Sequence, residues 1–268
     1  MERYQEVLNL WRSYPVESPA DLDKCLDSFR ILFAYNSGRI ENDGITYHDT
    51  REIFENGKVS NFSGDPRALF EQQNQKTCYE YLKEKIINKE PLSAGLVREI
   101  HRILTMGTYD ERHYIDRGER PGEYKKHDYV AGIHETGEAA DEVEAGMDAL
   151  IGELNAYGGD DILKAAAYLH ARFEYIHPFA DGNGRVGRTL LNYYLMINGH
   201  PPLIVYDEDK REYYGALQEY DESEELAPLF GFLRRQCEKT WEKALELSAG
   251  GAFTGAPGRK GLSDFVQG

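Results

Sequence analysis

Long apolar runs are missing from this 268-residue chain. No stretch approaches the roughly 18 apolar residues that a membrane helix needs, so no membrane partner is expected. The opening Met1-Glu2-Arg3-Tyr4-Gln5-Glu6 lacks the apolar run and cleavage pattern of a signal peptide, which gives an expected cytoplasmic location. Cysteine is scarce as well. Cys25, Cys78 and Cys237 are odd in number, lie far apart and form no CxxC, which excludes a disulfide framework and fits buried thiols in a reducing compartment. Positive charge is the third shortage. The 31 Lys and Arg stand against 47 Asp and Glu, a net charge of −16. Nucleic acid and anionic membranes both demand a basic face, so neither is expected as a partner. A hydrophobic share of 41% with 29% charged residues marks a folded soluble chain rather than a disordered one. Its length suits one large domain, or a domain plus an extension, with a core that needs no staples.

Helical periodicity fills most of the chain. Apolar spacing predicts helices over 21–41, 47–55, 66–89, 94–106, 138–154, 161–175, 185–198, 208–220 and 224–247. Asp65-Pro66 and Ser93 supply start signals, and Asn42-Asp43-Gly44 a stop. Residues 107–135 break the pattern, and only Tyr129-Val130-Ala131-Gly132-Ile133 reads as strand or hairpin. Six glycines in the last nineteen residues predict a flexible tail over 250–268. There is no internal repeat and no βαβ alternation. The expected fold is all-α with one small hairpin.

Chemistry concentrates between the two most apolar helices, in His177-Pro-Phe179-Ala-Asp181-Gly182-Asn183-Gly184-Arg185-Val-Gly187-Arg188. Gly182, Asn183 and Gly184 lead into a helix N-terminus, where unpaired N–H groups and the helix dipole favour an anion such as phosphate. Arg185 and Arg188 are neighbours in the first turn, three residues apart, so both can face that anion. Asp181 beside a phosphate cradle is a natural ligand for Mg²⁺, which takes one or two carboxylates plus phosphate oxygens. His177 is suited to accept a proton near neutral pH. The run Gly182–Gly184–Gly187 also matches G-x-G-x-x-G, with Asp207 about 20 residues on. That fingerprint must follow a strand, whereas 162–176 reads as an amphipathic helix, so a dinucleotide fold is excluded. A metal hydrolase built on His170 and His177 lacks both H-E-x-x-H and a third ligand.

The segment resembles the signature of the Fic (Fido) family, H-x-F-x-[DE]-G-N-G-R-x-x-R. All eight fixed positions are present: His177, Phe179, Asp181, Gly182, Asn183, Gly184, Arg185 and Arg188. At average composition a chance match is on the order of 10⁻¹⁰ per position. The resemblance extends to residues 92–106 as an opening helix, and to Gly122-Glu-Tyr124-Lys125 with the following hairpin as a target-binding flap. Arginine is more usual where Lys125 stands. It implies a Fic-type helical core over 93–236, an N-terminal helical extension over 1–92, the end of a C-terminal helix over 237–249, and the tail.

The resemblance further implies transfer of AMP from ATP to a Ser, Thr or Tyr hydroxyl of a target protein, with release of pyrophosphate. His177 would be the base and Asp181 the Mg²⁺ ligand. Gly182, Asn183, Gly184, Arg185, Gly187 and Arg188 would hold the phosphates, and Phe179 would pack in the core. Tyr213 or Tyr214 would lie on the adenine side, with Asp221 where the family often has Asn. Lys125, Tyr129, Val130 and Ile133 would belong to a flap that binds the target by strand addition. Ser37-Gly-Arg-Ile-Glu41-Asn42 resembles the family's inhibitory motif, in which Glu41 pairs with Arg188 and withdraws it from the nucleotide. Alternatives stay open: removal of AMP, transfer of another phosphate-containing group, or a nucleotide-sensing regulator held closed. Self-modification is among the implied reactions, and the resemblance leaves a homodimer open.

Overall fold

Eleven α-helices make up most of residues 2–42, 44–60, 62–129 and 137–249, which the computed structural model describes. They are α1 (Arg3–Ser13), α2 (Pro19–Cys25), α3 (Asp27–Glu41), α4 (Tyr47–Asn56), α5 (Pro66–Ile87), α6 (Ala94–Leu104), α7 (Val143–Ala156), α8 (Ile162–Ile176), α9 (Asn183–Ile197), α10 (Lys210–Ser223) and α11 (Ala227–Ala249). A π turn, Arg112–Asp116, and a 3-10 turn, Asp207–Asp209, complete the regular structure. No strand occurs among the described residues. The hairpin residues Val130 and Ile133 lie outside them, as does the tail from residue 250.

Local chemistry fixes most helix starts. Ser18, Asp65, Ser93 and Asp161 each accept a hydrogen bond from a first-turn N–H, and Thr46 with Asp49 forms a reciprocal capping box. Pro19 and Pro66 occupy first positions, where a missing N–H costs nothing.

Two expectations need correction. The helix expected over 21–41 is two helices, broken at Leu26 (φ −104°, ψ 16°), which is fully buried and closes α2 while opening α3. Packing of that side chain, rather than any Gly or Pro, bends the chain. The second is α1, a helix that the apolar spacing does not mark within the expected N-terminal helical extension. Its two buried residues, Val7 and Trp11, gain their partners only when the helix docks on α11, where Trp11 meets Trp241 edge-on at 5.3 Å.

The centre of the molecule is the α8/α9 pair, joined by the loop 177–182. Ala165, Ala166, Ala167 and Ala171 keep α8 slim enough for close approach, while Phe173, Ile176, Val186, Leu190 and Leu191 fill the seam without exposure. Each such Leu, Ile or Phe contributes about 1.5–3 kcal/mol by leaving water. One hydrophobic core runs from Val7 through Leu82, Leu96, Leu169 and Leu190 to Trp241, crossing the expected boundaries at 92/93 and 236/237. Helix α3 packs on α5 and α9 and so lies directly over the α8–α9 loop.

Candidate active site

The loop is held in a conformation that a free chain avoids. His177 ends α8 with φ 51° and ψ 60°, and Gly182 opens α9 with φ 82°. Left-handed backbone comes readily to glycine but costs a histidine about 1 kcal/mol or more, so something must enforce it. Phe179 is fully buried and stacks on His101 with ring centroids 3.7 Å apart and planes within 2°. The Asn183 side chain locks the turn, accepting from Phe179 N–H at 2.9 Å and donating to Phe179 C=O at 2.7 Å. His101 accepts from Gly122 N–H on Nδ1 at 2.8 Å, so its Nε2–H donates to the Asp181 carbonyl at 3.0 Å. Burial pulls the His101 pKa down to about 4, which keeps that neutral tautomer.

Above the loop lies a polar cleft of about 450 Å³ whose walls include Glu41, Arg67, His177, Asp181, Gly184 and Arg185. The first-turn N–H groups of α9 have no helical partner and mark its floor as an anion site. Gly184 permits the close approach above it, because a Cβ there would sit 2.4 Å from Glu41 Oε1 and 3.0 Å from Arg188 Nη1. His177 is half-buried at the rim. Burial first, and the Lys125 ammonium second, lower its pKa to about 4, so the imidazole is a neutral proton acceptor at physiological pH.

The two arginines differ from each other. Arg188 is 1% exposed and fully engaged by α3. Its Nε donates to Ser37 Oγ at 3.0 Å, and Nη2 donates to Ser37 C=O at 3.0 Å and to Glu41 Oε1 at 2.7 Å. Burial alone would pull the Arg188 pKa down, but the Glu41 carboxylate outweighs it and holds the guanidinium charged. Arg185, expected to face the anion, instead commits its guanidinium to Glu71 at 3.2 Å, to Asp181 at 3.6 Å and to the Leu104 carbonyl at 3.4 Å. The buried Glu71 carboxylate needs a cation beside it, and Arg185 supplies one. Asn183 is a second departure: its side chain serves the loop, leaving only its backbone N–H for a ligand.

Asp181 sits on the cleft wall with Oδ2 bound to Arg67 Nη2 at 2.5 Å. It suits Mg²⁺ as a single hard oxygen donor beside a phosphate floor, with phosphate and water oxygens completing the shell. No cluster of three His, Cys, Asp or Glu forms a metal cage among the described residues.

Of the other expected residues, Asn42 lines the cleft beside Glu41, while Gly187 and Tyr213 turn into the core. Gly187 faces inward, where a Cβ would lie 2.3 Å from Glu174 Oε1. That carboxyl is pushed up to about 8, chiefly by burial. Tyr213 is buried, its hydroxyl 2.7 Å from His170 Nε2 and its ring against Phe232, whereas Tyr214 is 46% exposed. His170 therefore belongs to the core and does not team with His177. Asn42 ends α3 and accepts from Gly44 N–H. Lys125 is not laid out on a surface strand. It is 3% exposed, donates its N–H to the Pro178 carbonyl at 2.9 Å and stands near His177. Tyr129 is tied to buried Glu119 at 2.9 Å.

Arg67, Glu71 and His101 were not foreseen at the site. His101 sits on the apolar face of α6, four residues after Val97, and its spacing carries a weak signal. Arg67 and Glu71 carry none, since only the folded chain brings them to Asp181 and Arg185.

Residues 91–195 match the model of the Fic/DOC family. A curated relative from Drosophila persimilis, named protein adenylyltransferase Fic, is 28% identical over 229 residues, covering 84% of this chain and 42% of its own length. One of the same name from Nematostella vectensis is 27% identical, covering 77% of this chain and 46% of its own length. The chain thus spans less than half of these curated relatives. Among solved structures, a Fic-domain-containing signaling protein from Bacteroides thetaiotaomicron superposes with a TM-score of 0.80 at 25% identity, covering 95% of this chain and all of its own. Fic-1 from C. elegans superposes with a TM-score of 0.76 at 21% identity, covering 94% of this chain and 73% of its own.

Proposed function

Because residues 91–195 belong to the Fic/DOC family, we propose that this protein is an adenylyltransferase that moves AMP from ATP to a Ser, Thr or Tyr hydroxyl of a protein. The target oxygen bonds to the α-phosphorus as its proton passes to His177. The bond from that phosphorus to the oxygen bridging to the β-phosphate breaks, and pyrophosphate leaves with the electron pair. Phosphoryl-group chemistry of this kind asks mainly for positioning, charge neutralisation and one proton acceptor.

His177, neutral in the fold, provides the acceptor. The N–H groups at the start of α9 cradle phosphate oxygens, and Arg188 is the counter-ion for the terminal phosphate. Mg²⁺ bound to Asp181 would neutralise further phosphate charge. Arg185 acts from beneath by fixing Asp181. Tyr214, exposed near Glu41 and Arg188, is the candidate for the adenine side. Val130 and Ile133 are proposed to pair with the target strand.

The single observation that carries the regulatory part is the 2.7 Å contact of Glu41 with Arg188, reinforced by Ser37. While it holds, a triphosphate enters without its terminal counter-ion and is not aligned for in-line attack. With labelled ATP, Mg²⁺ and a cytoplasmic extract, Glu41→Gly should raise labelling by about tenfold or more, a barrier change of about 1.4 kcal/mol. Adding His177→Ala should abolish it. Equal labelling by wild type and Glu41→Gly would sink the brake, and undiminished transfer without His177 would sink the mechanism. The mass added to labelled protein, including the chain itself, separates AMP from any other phosphate-containing group.

A further inference from the structure

A ring of four charged side chains lies on the cleft wall, and two of its members come from α5, outside the residues that match the family model. Arg67 Nε donates to Glu71 Oε1 at 2.9 Å, and Glu71 Oε1 lies 3.2 Å from Arg185 Nη1. Arg185 Nη2 is 3.6 Å from Asp181 Oδ1, and Arg67 Nη2 closes the ring on Asp181 Oδ2 at 2.5 Å. Charges alternate around it. The carboxylate proposed to bind Mg²⁺ is therefore already neutralised, on both oxygens, by guanidinium groups.

The two cations are not equivalent. Arg185 is sealed, with a side chain 3% exposed, and its contact with Asp181 is the long one. Arg67 is 37% exposed and its contact is the short one. Only Arg67 can leave without breaking into the core. It stands in the first turn of α5, and its Nε bond to Glu71 would keep its head in the cleft after it released Asp181.

We propose that Arg67 is a tethered cation that competes with the divalent metal for Asp181, so that the N-terminal region sets the metal concentration at which the site loads. This rests on the proposed role of Asp181. A metal ion arriving at Oδ2 meets a bound guanidinium whose positive charge repels it and has already offset the carboxylate's charge, so the metal gains most when Arg67 withdraws. Arg67 is thus a positioning residue for the cation site.

The test is direct binding of Mn²⁺, added alone, followed by electron paramagnetic resonance of the free ion, with Asp181→Asn as the measure of binding elsewhere on this acidic protein. Arg67→Gln should tighten the Asp181-dependent Mn²⁺ dissociation constant about two- to fivefold, the span expected for a partly exposed ion pair. Arg67→Lys, which keeps the charge but loses the fork that reaches Glu71 and Asp181 together, should fall between. It also serves if Arg67→Gln does not fold. Unchanged or weaker binding in both variants, with binding still lost in Asp181→Asn, would overturn the competition and leave the metal site standing. Binding that is the same in wild type and Asp181→Asn would remove the metal site and this inference together.

Discussion

His177 does two jobs with one side chain, ending α8 in a left-handed turn and presenting an imidazole at the cleft rim. Its pKa is drawn from 6.5 to about 4 by burial first and Lys125 second. The sign follows: a lowered pKa leaves the proposed base deprotonated above about pH 4, so activity should climb through that region and be level by pH 6. The kcat/KM profile of Glu41→Gly checks it, and that variant also removes a carboxylate that raises the His177 pKa. Lys125→Met takes away the nearby cation and should move the acid limb upward. An acid limb at 6.5 in the parent variant, unmoved by Lys125→Met, would contradict the assignment. Asn183 makes the complementary point. The signature suggests a ligand-facing amide, yet both ends of that amide satisfy the buried backbone of Phe179, groups that would each cost about 1–3 kcal/mol if left unpaired.

At the level of elements, what could be read depended on distance along the chain. The placement of the α8–loop–α9 unit was legible, because cap, turn and helix start follow one another within a dozen residues, but the inward commitments of Asn183, Arg185 and Gly187 were not. The Glu41–Arg188 contact was legible only through resemblance, since 147 positions separate the partners. Arg67 and Asp181, 114 apart, carried no pattern at all. Helix boundaries failed where burial overrode local signals, as at Leu26. Helix α1 shows the same override, since its stability comes from the Trp11–Trp241 contact, with Trp241 Nε1–H also donating to the Pro202 carbonyl at 2.8 Å. Trp11→Ala should therefore cost about 3–5 kcal/mol in urea unfolding, the range for truncating a buried Trp. A loss below about 1 kcal/mol would mean that α1 adds little to the core.

Across the whole molecule, the net charge of −16 makes positive potential a scarce local resource. The cleft concentrates it in Arg67, Arg185, Arg188 and a helix terminus, and α3 and α5 each lay a carboxylate over part of it. Helix α3 itself is no detachable arm. Ala34 and Ser37 are 1% exposed, Ile40 belongs to the shared core, Asn36 Oδ1 accepts from Asp207 N–H at 3.1 Å, and Arg39 reaches the Asp207 carboxylate at 3.4 Å. Swinging the helix away would dismantle the core, so Glu41 is freed locally, by rotation of its partly exposed side chain or by unwinding the terminal turn, which the Asn42 N–H to Gly38 carbonyl bond of 2.8 Å closes. Amide hydrogen exchange should accordingly be faster at Glu41 and Asn42 than at Ser37 by an order of magnitude or more, with the rest of α3 protected to near the global unfolding limit. Uniform exchange along α3 would mean that the helix leaves as a body. If the proposed brake is this helix end, its local opening rate is a ceiling on how quickly the site can respond to any signal.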